Sequence, residues 1–218
     1  MSHITTIAVN EGIVMTGDRL CVRTPSGLSI LQSQIISRSY RKLFNIGNIG
    51  ISCVSSIQIN SDIDINSFCR INNFNSVKET ADSLIYYIQH SKDEYVFHVS
   101  GYNNDKPEVY RISTLKEDLI INKMGFNNKL KSFNDKCFIH QGSSPYSKEY
   151  VDIINSKPEL LDLYTLQDAV NVSKLIFDIG KGLDWYLHHA ELMADLEMLA
   201  ITPNGLKYLI KKELEVLC

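Results

Sequence analysis

The sequence predicts an α+β fold, a four-layer α/β/β/α sandwich in which two antiparallel sheets lie between helical layers. Three observations lead there. Apolar, strand-like runs come in neighbouring pairs separated by turn-forming residues, at both ends of the chain and in its middle, which is the pattern of hairpins rather than of strands alternating singly with helices. Segments with helical periodicity arrive in two blocks, one from residue 76 and one from residue 147, so helices are available for two outer faces. A length of 218 residues fits one core, and no repeat, low-complexity tract or linker divides residues 1–218 into more than a single domain.

Taken in order, the first element is a hairpin. Ile4 to Val9 and Ile13 to Thr16 flank a tight Asn10-Glu11-Gly12 turn. Residues 19–38 read as an irregular connection, with a turn at Pro25-Ser26-Gly27 and a short β segment where Leu28, Ile30 and Gln32 alternate. Tyr40 to Ile46 and Gly50 to Ser56 are the next two strands, joined at Gly47-Asn48. Residues 57–75 give conflicting signals, because Ile57, Ile59, Ile63 and Ile65 alternate like a strand among many asparagines. From Ser76 the pattern is helical, with Val77, Ala81, Leu84 and Ile88 on one face, and Ser76 with Glu79 forms a capping box. Tyr95–Tyr102 and Glu108–Ser113 make a hairpin with a five-residue turn at 103–107. A strand at Lys136–His140, helices at Ser147–Asn155 and Thr165 to about Leu187, and a closing hairpin around Pro203-Asn204-Gly205 complete the chain.

The totals exclude several classes. With 44% hydrophobic and 22% charged residues the chain is neither disordered nor fibrous. A formal charge of −3 gives no electrostatic reason to expect a nucleic acid or an anionic membrane as partner. The five cysteines are scattered, with no C-x-x-C pair, which favours reduced thiols over disulfides or a zinc site. No apolar run reaches the roughly 20 residues of a membrane span, and no basic segment leads an apolar signal core, so the expected location is the cytoplasm.

The chemistry concentrates at the first strand. Ser2 directly follows Met1, and a small second residue permits removal of the initiator. Ser2 would then carry both a hydroxyl and a free α-amine, a nucleophile and its own base on one residue. The amine titrates near ~7.7, so a useful fraction is neutral at physiological pH.

The hairpin ending in Gly17-Asp18, the basic residue ahead of the Leu43-Phe44 run, the small-residue strand end at Ser55-Ser56, Val99-Ser-Gly-Tyr-Asn103 with Val109-Tyr110, and Gln141-Gly-Ser-Ser-Pro-Tyr146 together resemble the proteasome β-subunit family of N-terminal nucleophile hydrolases. The resemblance extends to the bacterial peptidase that partners an unfoldase ring. It implies amide hydrolysis through an acyl-enzyme. Counting back the family's sixteen residues from Asp18 selects Ser2 as nucleophile, whereas Thr5 of the conspicuous Thr5-Thr6 pair lies thirteen residues away. It further implies that Asp18 and Lys42 tune the nucleophile and that the Ser56 N–H holds the oxyanion. The family's late serine falls at Gly142, with Ser143 beside it, and its late Asp-x-x-Ser pair has no counterpart better than Asp184. An insertion relative to the family falls at Pro25-Ser26-Gly27. No cofactor or metal is implied. The implied partners are a peptide or protein substrate, further copies of the chain in a ring or dimer, and an ATP-dependent unfoldase.

Some residues have plainer readings. Arg41 competes with Lys42, but a permanently charged guanidinium is poorly suited to relaying a proton. His188-His189 lacks companions at ligand spacing. His98 reads as structural or cleft-lining, Cys53 as a small core residue or pocket lining, and Tyr86-Tyr87 as packing or a subunit contact. The departures from the family keep a catalytically silent scaffold on the same fold, and a small-molecule amidase, as alternatives.

Overall fold

The structure is a computed structural model that describes residues 3–23, 34–54, 58–59, 63–89, 93–115, 130–133, 136–142, 145–188 and 195–210. Its elements are β1 (Ile4–Val9), β2 (Gly12–Asp18), β3 (Cys21–Arg23), β4 (Gln34–Ser37), β5 (Leu43–Ile46), β6 (Ile49–Val54), α1 (Ile65–Ile71), α2 (Val77–Ile88), β7 (Val96–Asn103), β8 (Lys106–Ser113), β9 (Leu130–Phe133), β10 (Cys137–Gln141), α3 (Pro145–Asn155), α4 (Leu160–Leu163), α5 (Leu166–His188), β11 (Leu196–Thr202) and β12 (Gly205–Ile210). They form two five-stranded antiparallel sheets, ordered β10-β1-β2-β11-β12 and β5-β6-β7-β8-β9, and a small β3-β4 ribbon.

The opening hairpin sits at the middle of the first sheet, and every residue of β1 and β2 is buried. Alternation across the strand explains how. Ile7, Val9 and Val14 pack with Val151, Ile154, Leu161 and Ile176 of the helices, while Ala8, Ile13 and Met15 on the opposite face pack with Leu43 and Val109 of the second sheet. A strand covered on both faces needs apolar residues at successive positions. On the far face of the second sheet, Val77, Ala81, Leu84 and Ile88 of α2 meet Phe97, Val99, Tyr110 and Ile112.

Caps set the helix starts. Ser76 Oγ accepts from Glu79 N–H at 3.1 Å, and the Glu79 carboxylate returns to the N–H of Asn75, one residue earlier than in the expected box. At α5, Thr165 and Asp168 cap each other, and Glu11 of the hairpin turn accepts from Leu166 N–H at 2.8 Å. The first turn of the chain is thereby tied to the start of its longest helix.

Several boundaries differ from the sequence reading. The ambiguous stretch contains α1, with Asp64 as N-cap, Ile65 and Phe68 buried, and Asn72 as C-cap. Asn66 lies within this helix, Asn72 ends it, and Asn73 and Asn75 lie in the connection to α2. The β7-β8 turn has two central residues, Asn104 and Asp105, with φ of 51° and 62°, because both side chains tolerate the left-handed region that a tight hairpin demands. α3 begins earlier than residue 147, and α4 and the edge strand β9 went unpredicted. β4 lies later than the expected alternation at 28–32, which falls outside the described residues.

Candidate active site

Strand pairing delivers the acid. In the β1-β2 register Ile4 faces Gly17, so His3 lies opposite Asp18, whose N–H donates to the His3 carbonyl at 3.0 Å. The Asp18 carboxylate is then held from three sides. His3 N–H donates to Oδ1 at 2.6 Å, Leu20 N–H donates to Oδ2 at 3.1 Å, and Lys42 Nζ donates to Oδ1. Asp18 is 5% and Lys42 1% exposed. Removing one partner from such a buried pair leaves an uncompensated charge at a cost of about 3–5 kcal/mol.

Lys42 comes from the other sheet. It immediately precedes β5, and its carbonyl accepts from Cys53 N–H of β6 at 3.0 Å. A β-carbon at Gly17 would stand 3.1 Å from Lys42 Cβ. The bare glycine therefore lets the lysine stem pass over β2 on its way to Asp18. Arg41 goes elsewhere, donating to the Leu43 carbonyl at 2.6 Å and to Tyr208 Oη at 2.7 Å, with its guanidinium over the Phe44 and Tyr208 rings. Between the two candidate cations, geometry brings Lys42 to the acid.

Three neutral histidines lie nearby. Burial, then the Lys42 charge, pushes His3 down to about 4. Burial, then His3, pushes His140 down to about 3. Burial, then Arg111 and His140, holds His98 well below its ordinary value. Thr5 Oγ1 lies 3.3 Å from His3 Nε2 and 3.4 Å from His140 Nδ1, and Thr6 Oγ1 shares a 2.9 Å hydrogen bond with His98 Nδ1. Thr5 and Thr6 are both fully buried strand interior.

Of the predicted site residues, Asp18 and Lys42 are joined, while Ser2, Ser56 and Ser143 lie outside the described residues. Their described neighbours converge. His3, next to Ser2, binds Asp18. Gly142, next to Ser143, is so close to the His3 and His140 rings that a β-carbon there would fall 2.8 Å from His140 Nε2 and 3.1 Å from His3 Nδ1. β6, which ends two residues before Ser56, is bonded to Lys42. Cys53 is buried in the core with its thiol pushed up to about 12 by burial. Tyr87 packs on Phe68 at 5.6 Å, leaving Tyr86 exposed. The side chain of His188 and all of His189 lie outside the described residues.

Two participants were missed in the sequence. His140 gave no signal, since its role arises from β1-β10 pairing. Glu197 did give one, as an acid inside the apolar run Leu-Glu-Met-Leu-Ala-Ile. It is 2% exposed, 3.9 Å from Arg19 Nε, and burial raises its carboxyl above the usual range, opposed by Arg19 and Arg41. Among the described residues, no group of three or more histidine, cysteine, aspartate or glutamate side chains could hold a metal ion, and no helix is long and apolar enough to cross a membrane.

No family model matches the chain, and no curated protein matches it in sequence. In structure it is similar to a Gly-1 mutant of Anbu from Hyphomicrobium sp. strain MC1, with a TM-score of 0.63 and 11% identity over 100% of this chain and 89% of that one. Anbu is a bacterial proteasome-like protein with the N-terminal nucleophile fold. At that identity the likeness concerns the fold.

Proposed function

We propose that the protein is a proteasome-like N-terminal nucleophile hydrolase that cleaves amide bonds, with peptides as substrates, through an acyl-enzyme on Ser2 exposed by removal of Met1. The observation that carries this reading is the buried Asp18–Lys42 pair, anchored to the backbone of the residue next to Ser2. The fold likeness supports it independently, and the two sheets with α2 and α5 on opposite faces are read as the four-layer α/β/β/α sandwich of that class.

The steps balance on this chain's own groups. The neutral Ser2 amine takes the hydroxyl proton as Oγ adds to the substrate carbonyl carbon. The Lys42 ammonium, fixed by Asp18, disfavours a second positive charge and so keeps that amine neutral. The oxyanion is met by the Ser56 N–H, a donor commonly worth ~3 to 4 kcal/mol. The carbon–nitrogen bond then breaks, the departing amine takes the proton, and an ester on Ser2 remains. Water attacks that ester with the same amine as base, releasing the acid and restoring the hydroxyl. Ser143 substitutes for the family's late serine. The working unit is proposed as a homo-oligomer, a ring or dimer, in the cytoplasm, served by an ATP-dependent unfoldase.

Hydrolysis of a fluorogenic peptide panel tests the reading. Wild-type protein should cleave at least one member, Ser2→Thr should retain cleavage, and Ser2→Ala should lose it. Undiminished cleavage by Ser2→Ala would move the nucleophile elsewhere. No cleavage of any peptide by wild type, with Met1 absent, would favour a silent scaffold or a small-molecule amidase.

A further inference from the structure

Two of the histidines near Asp18 are tied together through one hydroxyl. Alternation along β1 places His3 and Thr5 on the same face, towards α5, where the Phe177 ring meets His3 edge-on with centroids 5.9 Å apart. Antiparallel pairing places His140 of β10 opposite Thr5. Thr5 Oγ1 therefore lies between two imidazoles, 3.3 Å from His3 Nε2 and 3.4 Å from His140 Nδ1, with the ring centroids 4.6 Å apart. The two remaining ring nitrogens face a single residue. A β-carbon at Gly142 would fall 3.1 Å from His3 Nδ1 and 2.8 Å from His140 Nε2, and His140 Nε2 is buried with no hydrogen-bond partner among the described residues.

Counting protons fixes how the three groups are arranged. Thr5 is fully buried, and among the described residues the two rings are the partners of its hydroxyl, which has one proton to give. That proton goes to one imidazole. The other imidazole must then donate its own N–H to Oγ1, because a lone pair facing a lone pair would leave both buried atoms unsatisfied. Burial keeps both rings neutral at physiological pH, so each carries one N–H. If Thr5 donates to His3 Nε2, His3 has its proton on Nδ1 and His140 donates from Nδ1. If Thr5 donates to His140 Nδ1, His140 has its proton on Nε2 and His3 donates from Nε2. Either way the two histidines take the same tautomer, and Gly142 is met by one N–H and one lone pair.

We propose that Thr5 is a positioning residue whose hydroxyl locks His3 and His140 in one shared tautomer, making a polar seat for the Gly142 backbone. The seat ties the residue next to Ser2 to the residue next to Ser143. Thr5 acts only through the two rings, and its effect on catalysis rests on the function proposed above.

The test compares wild type with Thr5→Ser, which keeps the hydroxyl, and Thr5→Val, which removes it at nearly the same volume. Two readouts are taken. One is solid-state NMR of protein carrying isotope-labelled histidine, at neutral pH, which separates protonated from unprotonated ring nitrogens and needs no activity. The other is the rate of inactivation by a peptide epoxyketone, resolved into its maximal rate and its half-saturation. We expect matching tautomers for His3 and His140 in wild type and Thr5→Ser, and a mixture of both forms in Thr5→Val. We expect the maximal inactivation rate of Thr5→Val to fall by about 10-fold or more, with half-saturation within about twofold and Thr5→Ser restoring most of the rate. If Thr5→Val does not fold, Thr5→Ala removes the same hydroxyl and should show the same mixture. Opposite tautomers in wild type, or a matched and unmixed pair in the variants without the hydroxyl, overturns the lock. An unchanged maximal rate in a variant whose tautomers have become mixed overturns the positioning role. Failure of wild type to react with the epoxyketone overturns the proposed function instead, and the tautomers still decide the lock.

Discussion

At the scale of single residues, the site depends on one carboxylate holding three donors. Asp18→Asn keeps the shape but offers an amide where Lys42 Nζ and two backbone N–H groups need acceptors. Peptide cleavage should fall by at least ~10²-fold, measured as kcat with the Met1-free protein. Gly17→Ala tests the crossing point, because a methyl 3.1 Å from Lys42 Cβ forces the stem aside by a few tenths of an ångström. The variant should fold and yet lose activity by about 10-fold or more; unchanged kcat would show that the stem accommodates the methyl freely. Asp18 and Lys42 were singled out by the resemblance to the proteasome β-subunit family, which maps an acid and a lysine onto them, and the fold joins the two side chains. His140 was not, because only a strand pairing between residues far apart in the chain places it beside His3 and Thr5. Glu197 was half-legible, since an acid in an apolar strand announces a buried partner without saying which.

At the scale of elements, local signals worked where a cap or a period stood clear of its neighbours. α2 was readable because Ser76 and Glu79 mark its start and four apolar residues share its face. α1 was obscured by the asparagines around it, of which Asn72 finishes the helix by donating its side-chain N–H to the Phe68 carbonyl. Asn103 and Pro107 look like turn residues and suggest a five-residue β7-β8 turn, though each belongs to a strand. That turn makes a prediction. Asp105 has φ of 62°, so Asp105→Gly should keep or slightly raise the thermal midpoint, while Asp105→Val should lower stability by about 1–2 kcal/mol, read by denaturant unfolding. The Glu11 cap on α5 is a second test. Glu11→Ala leaves the Leu166 N–H to solvent and should cost about 0.5–2 kcal/mol.

For the whole molecule, the buried histidines tie stability to pH. His3 and His140 remain neutral in the fold down to about 4 and about 3, against an ordinary 6.5. Below 6.5 the unfolded chain binds protons that the folded chain refuses, so stability falls as pH drops from about 6.5 towards 4. Thermal midpoints across that window should slope downward, and His140→Gln should slope less; equal slopes would remove His140 from the account. The two antiparallel sheets were predictable because hairpins announce themselves locally. Which strand lies beside which was not, as β10 and β11 flank the first hairpin from distant parts of the chain. The proposed nucleophile sits at the processed chain terminus, and intact-protein mass spectrometry before and after reaction with a peptide epoxyketone tests it, since that group closes a ring using both an N-terminal amine and its hydroxyl. We expect a mass lacking Met1, a single adduct per chain located on Ser2, and no adduct on Ser2→Ala. Retained Met1, or an adduct that forms equally on Ser2→Ala, would contradict it.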